Sequence, residues 1–256
     1  MMESLTLAGF DGAPLHVTCM GEGPTVLLLH GLFSNADINW LRYGTAQRLA
    51  DAGFRLVMPD FRGHGQSASP AEEAGWPVDV LSMDVEAMVR QLGLGTQFIL
   101  GGYSLGARTA ARLLARGLRP RALLFAGMGL AGLTDANRRT DWFVRLIEGR
   151  GSWPRGSDEY LAERFMKANI GNPAPIAWLL QKQLDTPAEL LRSIDLPALV
   201  VAGADDQDNG SAPELAALLP AGRYRQIPGN HMASVTRPEL GTEIAAFLRE
   251  ATTAAS

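Results

Sequence analysis

A serine flanked by glycines is the first feature of this sequence that could do chemistry. Ser104 stands in Gly102-Tyr103-Ser104-Leu105-Gly106, directly after the apolar run Phe98 to Leu100 and directly before a run of helical character. The glycines permit a sharp strand-to-helix turn in which a strained residue projects its side chain. The alternative is that Ser104 only caps the helix. The strand before it and the helix after it favour a nucleophile.

A serine hydroxyl is a weak nucleophile, so it requires a general base. The sequence has four histidines, and His16, His30 and His64 lie in a hairpin, at a strand end and in an early loop. His231 follows the last predicted strand, in Pro228-Gly229-Asn230-His231. A loop at the carboxyl edge of the sheet can bring it to Ser104, and we therefore predict that His231 is the base.

The base in turn requires an orienting carboxylate, expected between serine and histidine in chain order. Gly203-Ala204-Asp205-Asp206-Gln207-Asp208 follows the apolar run Ala198 to Ala202 and offers three acids. We prefer Asp206, because a glycine three residues earlier lets the chain turn out of the strand. Asp205 and Asp208 are interpreted as solvated loop charges or as a cap for the helix near Ala212.

An acyl-transfer site also needs N–H donors for the oxyanion, usually two. The amide of Leu105, next to the nucleophile, supplies one by its position. The loop His30-Gly31-Leu32-Phe33 follows the apolar run Val26 to Leu29 and can supply the other. We predict that Leu32 is this donor, with Phe33 as the alternative, and that His30 hydrogen-bonds the loop into shape.

The elements that must position these residues alternate between strand and helix. An N-terminal hairpin around Asp11-Gly12 precedes them, and alternation of this kind predicts βαβ units and a parallel sheet. The predicted strands are Leu5 to Phe10, Leu15 to Met20, Val26 to Leu29, Phe54 to Met58, Phe98 to Leu100, Ala122 to Phe125, Ala198 to Ala202 and Tyr224 to Ile227. The predicted core helices are Trp40 to Ala52, Val80 to Leu92, Leu105 to Arg116, Ala212 to Leu219 and Pro238 to Arg249. The polar tail from Ala251 to Ser256 is expected to fray.

A helical insertion interrupts this alternation. Residues 127–186 contain no strand-like run and three helical stretches, Trp142 to Glu148, Glu159 to Ala168 and Ile176 to Leu184. We therefore expect a core domain of residues 1–126 and 187–256 with a cap of residues 127–186. Trp142, Trp153 and Trp178 lie in the insertion, where they either cover a cleft or only pack the insertion onto the sheet.

Composition narrows the classes of partner. The chain has 256 residues and a net charge of -4 without basic blocks, which favours a small-molecule substrate over nucleic acid or a membrane surface. Its one cysteine, Cys19, precludes an intramolecular disulfide, and no Cys/His spacing indicates a metal. With neither a signal peptide nor a long apolar run apparent, we expect a cytoplasmic protein without cofactor. The oligomeric state is left open.

Several segments together resemble the α/β-hydrolase superfamily over nearly the whole chain. They are His30-Gly31-Leu32, the segment Asp60-Phe61-Arg62-Gly63-His64-Gly65-Gln66-Ser67, the Ser104 turn, Gly203-Ala204-Asp205-Asp206 and Gly229-Asn230-His231. The resemblance implies an α/β fold with a mostly parallel central sheet, helices on both faces and a helical cap. It implies that Asp60 and His64 brace the site. It also makes epoxide or haloalkane hydrolysis unexpected, since those enzymes carry Asp where this chain has Ser104.

The resemblance and the residues together predict a serine hydrolase that cleaves a small, apolar carboxylic ester through an acyl-enzyme. The same triad could serve a carbon–carbon bond hydrolase, a thioesterase, a lactonase, a perhydrolase or an acyltransferase. A ligand sensor that has kept the triad is the alternative outside enzymes. The residues expected to contact substrate are Phe33, Tyr103, Trp142 and Trp178. Arg108, one turn beyond Ser104, is expected to form a salt bridge with a neighbouring helix rather than bind a substrate carboxylate.

Overall fold

Eight strands form one sheet in the computed structural model, which describes residues 2–253. The strands are β1 (Met2–Ala8), β2 (Pro14–Met20), β3 (Thr25–Leu29), β4 (Arg55–Pro59), β5 (Ile99–Tyr103), β6 (Ala122–Ala126), β7 (Ala198–Gly203) and β8 (Gly222–Ile227). Their order across the sheet is β1-β2-β4-β3-β5-β6-β7-β8. β1 and β2 pair antiparallel and β2 joins β4 antiparallel, whereas β3 to β8 run parallel. The predicted mostly parallel α/β sheet is confirmed.

Burial explains this arrangement of strands. Every residue of β5, β6 and β7 is buried, as expected for central parallel strands covered on both faces by helices. The edge strands β1 and β8 instead alternate between exposed and half-buried residues along most of their length. Cys19 points into the core from β2, and burial raises the pKa of its thiol.

Helices cover both faces of the sheet. They are α1 (Thr45–Asp51), α2 (Val80–Gln91), α3 (Leu105–Ala115), α4 (Leu130–Thr134), α5 (Thr140–Glu148), α6 (Asp158–Asn169), α7 (Ala174–Gln181), α8 (Ala188–Arg192), α9 (Ala212–Leu218) and α10 (Pro238–Thr253). Helices α1 and α10 pack one apolar layer against the sheet, and α2, α3 and α9 pack the other. Among residues 2–253, no helix is both long and apolar enough to cross a bilayer.

The single helix expected from Trp40 to Ala52 is wrong. The chain instead forms a π-helical turn at Asp37–Leu41, and α1 begins only at Thr45. Gly44 separates the two with a left-handed φ of 82°, a backbone conformation that ends a right-handed helix and suits glycine.

The last helix differs from its predicted end as well. α10 continues through Ala251 to Thr253, past the expected end at Arg249. The first part of the tail expected to fray is therefore helical, and the rest of that tail lies outside the described residues.

The segment between β6 and β7 contains helices and no strand. It contains α5, α6 and α7 close to their predicted positions, together with the short helices α4 and α8, which the sequence did not reveal. Five residues are too few to show a helical period in the sequence. Trp142 and Trp153 are half-buried and pack against the same core that α3 joins.

Candidate active site

The predicted site residues meet at the carboxyl edge of the sheet. Register pairs Leu29 of β3 with Gly102 of β5, and Tyr103 with Ala126 of β6. Ala126 in turn pairs with Val201 of β7. The loops that follow these strands are therefore neighbours, which is the position where ligands bind in sheets of this kind.

The turn after β5 forces Ser104 into a strained backbone conformation. Its φ of 52° and ψ of -110° lie outside the regions that ordinary residues prefer. Such strain costs on the order of 1–3 kcal/mol and persists only where the surroundings enforce it. A β-carbon on Gly102 would lie 2.1 Å from the carbonyl carbon of Gly106, and one on Gly106 would lie 2.2 Å from the oxygen of Leu29. Close backbone approach is thus the reason for both glycines.

Ser104, His231 and Asp206 form a continuous hydrogen-bond chain. Ser104 Oγ lies 3.0 Å from His231 Nε2, and His231 Nδ1 lies 2.9 Å from Asp206 Oδ2. The Asp206 carboxylate accepts a hydrogen bond from the Nδ1–H group of His231, so Nε2 is the free acceptor for the serine hydroxyl. The Asp206 side chain is only 3% exposed, which keeps water from competing for this contact.

The other two acids of the loop are turned elsewhere. Asp205 is exposed, and Asp208 forms an ion pair of 2.6 Å with Arg139 at the start of α5. Neither caps α9, because the side chain of Ser211 accepts the hydrogen bond from the Glu214 amide at that end. The structure therefore brings only Asp206 to the histidine.

The loop after β3 lies directly beside the nucleophile. A β-carbon on Gly31 would lie 3.7 Å from Cβ of Ser104, and the amide of Gly31 donates to Asn39 Oδ1 at 2.8 Å. The amide of Phe33 donates to His64 Nε2 at 3.2 Å, so it is not available for an oxyanion. Of the two amides predicted as donors in this loop, that of Leu32 has no hydrogen-bond acceptor within residues 2–253.

Leu105 supplies the second candidate donor. It is the first residue of α3, and the first amides of a helix have no acceptor within that helix. Neither its amide nor that of Leu32 donates to another group in residues 2–253. The positive end of the α3 dipole adds to the potential at this position.

Two buried histidines, His30 and His64, form hydrogen bonds that hold residues 30–33, the oxyanion loop. Neither histidine titrates near neutral pH. His30 accepts a hydrogen bond from the amide of Phe61 at 2.8 Å and donates through Nδ1 to the oxygen of Gly31. His64 donates through Nδ1 to the oxygen of Arg62. Burial lowers the pKa of His30 to about 4 and that of His64 to about 3, so both rings are neutral.

Asp60 also has a bracing geometry. Its carboxylate accepts hydrogen bonds from the amides of Ala36 and Gln66, each at 2.9 Å, and contacts His16 at 3.1 Å. It thereby joins two loops to strand β2 and lies apart from the hydrogen-bond chain of Ser104.

Tyr103 does not have the expected geometry of a substrate contact. Its ring is buried, and its hydroxyl donates to the main-chain oxygen of His231 at 2.6 Å. A β-carbon on Gly127 would lie 2.6 Å from this ring, so no space remains for a ligand on that side. The hydroxyl is used to hold the loop that carries His231.

Aromatic side chains connect the oxyanion loop to α5. The ring centroids of Phe33 and Phe143 lie 5.9 Å apart and those of Phe143 and Trp142 lie 4.9 Å apart, with the rings of each pair close to perpendicular. The guanidinium of Arg139 lies 4.9 Å from the centre of the Phe143 ring. Trp178, the remaining residue expected to contact substrate, is half-buried on α7 and packs against the core.

The expected salt bridge of Arg108 is wrong. Its guanidinium donates to the oxygens of Gly132 and Ala136, at 2.9 and 3.1 Å, and to the side chain of Gln183, while no carboxylate in the described chain lies within 4.0 Å. Burial without an ionic partner lowers the pKa of Arg108 to about 10. Carbonyls near the end of α4 take the place of a carboxylate, since such oxygens lack helical partners.

Three residues that the sequence did not reveal belong to this site: Arg139, Phe143 and Asn209. Asn209 is buried three residues after Asp206, and its Nδ2 lies 3.5 Å from Ser104 Oγ. Its position in the loop between β7 and α9, the acid loop, was the only feature of the sequence that could have indicated a role for Asn209. Phe143 could have been found as the neighbour of Trp142. No group of three or more His, Cys, Asp or Glu side chains within residues 2–253 has the arrangement of a metal site.

Comparison with known proteins supports the assignment of the fold. The family model described as the alpha/beta hydrolase fold matches residues 24–123. The bifunctional epoxide hydrolase 2 of Sus scrofa is 38% identical over 90 residues, which are 35% of this chain and 16% of that protein. An epoxide hydrolase of Caballeronia sordidicola is 35% identical over 100 residues, 39% of this chain and 29% of that protein. The chain thus matches less than a third of the length of these relatives.

Two solved structures are similar over nearly the whole chain. An esterase from Exiguobacterium antarcticum has a TM-score of 0.76 at 19% identity and covers 96% of this chain and 100% of its own. A thermophilic esterase from Thermogutta terrifontis has a TM-score of 0.73 at 23% identity and covers 97% of this chain and 99% of its own. The sheet order, the family model and these neighbours show that the chain has the α/β-hydrolase fold.

Proposed function

We propose that this protein is a serine hydrolase that cleaves a small carboxylic ester through an acyl-enzyme. One observation carries the proposal: the hydrogen-bond chain from Ser104 Oγ through His231 to Asp206, with links of 3.0 and 2.9 Å. Both distances are within the reach that proton transfer to a general base requires. The strained turn at Ser104 supports the same conclusion, because strain of this kind concentrates at reactive residues.

The chemistry follows from the roles of these side chains. His231 Nε2 takes the hydroxyl proton as Ser104 Oγ attacks the ester carbonyl, and Asp206 stabilises the imidazolium that results. The amides of Leu32 and Leu105 donate to the oxyanion of the tetrahedral intermediate. Collapse of that intermediate releases the alcohol, which takes the proton from His231. Water activated by the same histidine then hydrolyses the acyl-enzyme and frees Ser104.

We assign residues 127–186 the role of a cap over the site. Support comes from the aromatic contacts of Phe33 with Phe143 and of Phe143 with Trp142, because they join the oxyanion loop to α5. Apolar rings so close to the nucleophile favour an apolar acyl or alcohol group. Trp178 on α7 is assigned to the same apolar wall. The single cysteine suits a reducing compartment, and we place the enzyme in the cytoplasm.

Epoxide hydrolysis is an alternative reaction, because two of the similar proteins are named epoxide hydrolases. Epoxide opening in this superfamily is expected to use an aspartate at the turn after β5, and this chain has Ser104 there. Attack of the Ser104 alkoxide on an epoxide would open the ring and form a stable ether. The triad cannot hydrolyse an ether, because it has no carbonyl group for water to attack. Ester hydrolysis is therefore the better match to the residues present.

Covalent labelling tests the proposal directly. A fluorophosphonate probe should modify the protein once, and mass mapping should place the adduct on Ser104. The unmodified protein should hydrolyse p-nitrophenyl acetate, whereas Ser104→Ala should lose at least about 10³-fold in kcat. Full activity of Ser104→Ala, or an adduct on another residue, would rule the nucleophile out.

A substrate panel then separates the reactions that share this triad. The panel contains short-chain esters, a lactone, an acyl-coenzyme A and a vinylogous diketone. We expect the highest kcat/KM for an ester. A higher value for another member would reassign the reaction and keep the nucleophile. Tight binding of one compound without turnover of any would favour a ligand sensor instead.

A further inference from the structure

Asn209 places an amide beside the reactive oxygen. Its side chain is buried, with the residue 6% exposed, and Nδ2 donates to the oxygen of Gly127 at 2.8 Å. This contact fixes the orientation of the amide, because the carbonyl end of a flipped side chain would face another carbonyl. The same Nδ2 lies 3.5 Å from Ser104 Oγ. One N–H of Asn209 is therefore used by Gly127, and the other is directed to the nucleophile.

The main chain holds this amide in place. The main-chain oxygen of Asn209 accepts a hydrogen bond from the main-chain amide of Gly132 at 2.8 Å. A β-carbon on Gly129 would lie 2.1 Å from the oxygen of Gly210, so the start of α4 and the acid loop are in close contact there. The amide of Asp208 also donates to Asp206 at 3.1 Å. Asn209 is as firmly positioned as the acid that shares its loop.

Ser104 Oγ consequently has partners on both sides. It donates its proton to His231 Nε2 and can accept an N–H from Asn209. A contact of 3.5 Å is long, but catalytic hydrogen bonds in unliganded sites commonly shorten when the reaction requires them. The effect of such a donor on the rate depends on the step of the reaction in which Oγ becomes negative.

We propose that Asn209 is a further catalytic residue, which stabilises Ser104 Oγ as the leaving group when the acyl-enzyme is hydrolysed. The inference rests on the proposed acyl-enzyme mechanism. In deacylation His231 takes a proton from water, and the hydroxide adds to the acyl carbonyl. The bond between the carbonyl carbon and Oγ then breaks, and the electron pair stays on Oγ. The proton on His231 Nε2 passes to Oγ and restores the hydroxyl.

The donor affects the two half-reactions differently. Before acylation Oγ belongs to a hydroxyl, a good acceptor, so the contact with Asn209 already exists in the ground state. In the acyl-enzyme Oγ is an ester oxygen and a poor acceptor, but it becomes negative as the bond breaks. Only interactions that are stronger in the transition state accelerate a step. Asn209 therefore accelerates deacylation and leaves acylation nearly unchanged.

Pre-steady-state kinetics with p-nitrophenyl acetate test this. In Asn209→Leu, which keeps the shape and removes the donors, the rate constant for loss of the acyl adduct should fall about 10-fold. The rate constant of the p-nitrophenolate burst should change less than about twofold. In the steady state kcat and KM should then fall together, so kcat/KM is preserved. Intact-protein mass spectrometry should detect more acyl adduct than in the unmodified protein.

A second buried asparagine provides the matched control. Asn39 accepts the amide of Gly31 at 2.8 Å and shapes the oxyanion loop, so Asn39→Leu should slow the burst, the deacylation and the fluorophosphonate reaction alike. Asn209→Leu should react with the fluorophosphonate at the normal rate. Equal slowing of all three rates in Asn209→Leu, or no change in any of them, would overturn the proposal.

Asn209→Ala repeats the measurement with a smaller side chain, which guards against a folding defect specific to leucine. Its deacylation should again be slow and its burst normal, and the same two contrary outcomes apply. Failure of the proposed function is distinguishable from failure of this inference. In the former case the unmodified protein forms no acyl adduct at all, whereas in the latter it forms one that Asn209 does not influence.

Discussion

The hydroxyl of Tyr103 donates to the main-chain oxygen of His231 at 2.6 Å, so the residue before the nucleophile holds the loop of the base. The two rings also lie 5.3 Å apart. Burial raises the pKa of Tyr103 well above its ordinary value, which keeps the hydroxyl protonated and able to donate. The distance between Ser104 and His231 is thereby coupled to the end of β5.

Removing this hydroxyl should loosen the base. Tyr103→Phe leaves the ring in place and the His231 oxygen without its donor, so kcat/KM should fall about 10-fold and the free energy of unfolding by about 1–2 kcal/mol. Ester hydrolysis and urea denaturation measure the two effects. Tyr43→Phe is the matched control, because Tyr43 is 44% exposed and its change should cost less than about 0.5 kcal/mol. Equal behaviour of the two variants would refute the coupling.

Substitution of the acids should separate their roles. Asp206→Asn removes the charge that orients His231, and kcat should fall about 10⁴-fold. Asp208→Asn removes an ion pair with Arg139 in which the aspartate side chain is 40% exposed, so it should cost less than about 10-fold. Steady-state kinetics on p-nitrophenyl acetate compare the two. A larger loss for Asp208→Asn would mean that the acid is misassigned.

The turn after β5 that carries Ser104 should not tolerate a side chain at Gly106. A β-carbon there meets the backbone of β3, which cannot move aside, so Gly106→Ala should lose about 3 kcal/mol or more in the free energy of unfolding. Gly117 has a φ of 99°, and a β-carbon on it would have no heavy atom within 4 Å beyond those of its two chain neighbours. Gly117→Ala should therefore cost only the backbone strain, about 1–2 kcal/mol. Urea denaturation of both variants checks the difference, and similar losses would contradict it.

Stability should decrease in mild acid because of the two buried histidines. His30 and His64 have folded-state pKa values of about 4 and about 3, below the value of about 6.5 expected in the unfolded chain. The unfolded state therefore binds more protons as the pH falls below about 6.5, and the loss continues until the pH passes the folded values. Each histidine contributes at most about 1.4 kcal/mol per pH unit. The contribution is fully present above a pH of about 6.5.

Urea denaturation between about pH 7.5 and about pH 5 measures this slope. His64→Gln should flatten the dependence on pH, whatever its effect on stability at neutral pH. An unchanged slope in that variant would show that His64 takes up its proton over the same pH range in the folded and the unfolded protein.

The strands and the order of the site residues could be predicted from the sequence because they depend on local patterns. Continuous apolar runs such as β6 mark strands that are covered on both faces. Ser104 and Asp206 each follow such a run and His231 follows the edge strand β8, so their meeting at one edge of the sheet follows from the topology of a parallel sheet. The helix break at Gly44 was missed, because an isolated glycine is tolerated within many helical patterns.

The contacts that refine the site could not be predicted in the same way. Tyr103 and Arg108 use main-chain oxygens as partners, and every residue in the chain offers such an oxygen. Asn209 becomes informative only when the distance of 3.5 Å to Ser104 Oγ is known. Each of these contacts joins positions at least 24 residues apart in sequence, beyond the range of any local pattern.

The buried thiol of Cys19 makes the chain well suited to spectroscopic labelling. It is the sole cysteine, it is 4% exposed, and burial raises its pKa, so maleimide reagents should react with it slowly. Leu161 on α6 is 56% exposed. A cysteine introduced at that position would carry the only fluorophore or spin label, and any change in the environment of α6 during turnover could be measured without replacing a native residue of the core.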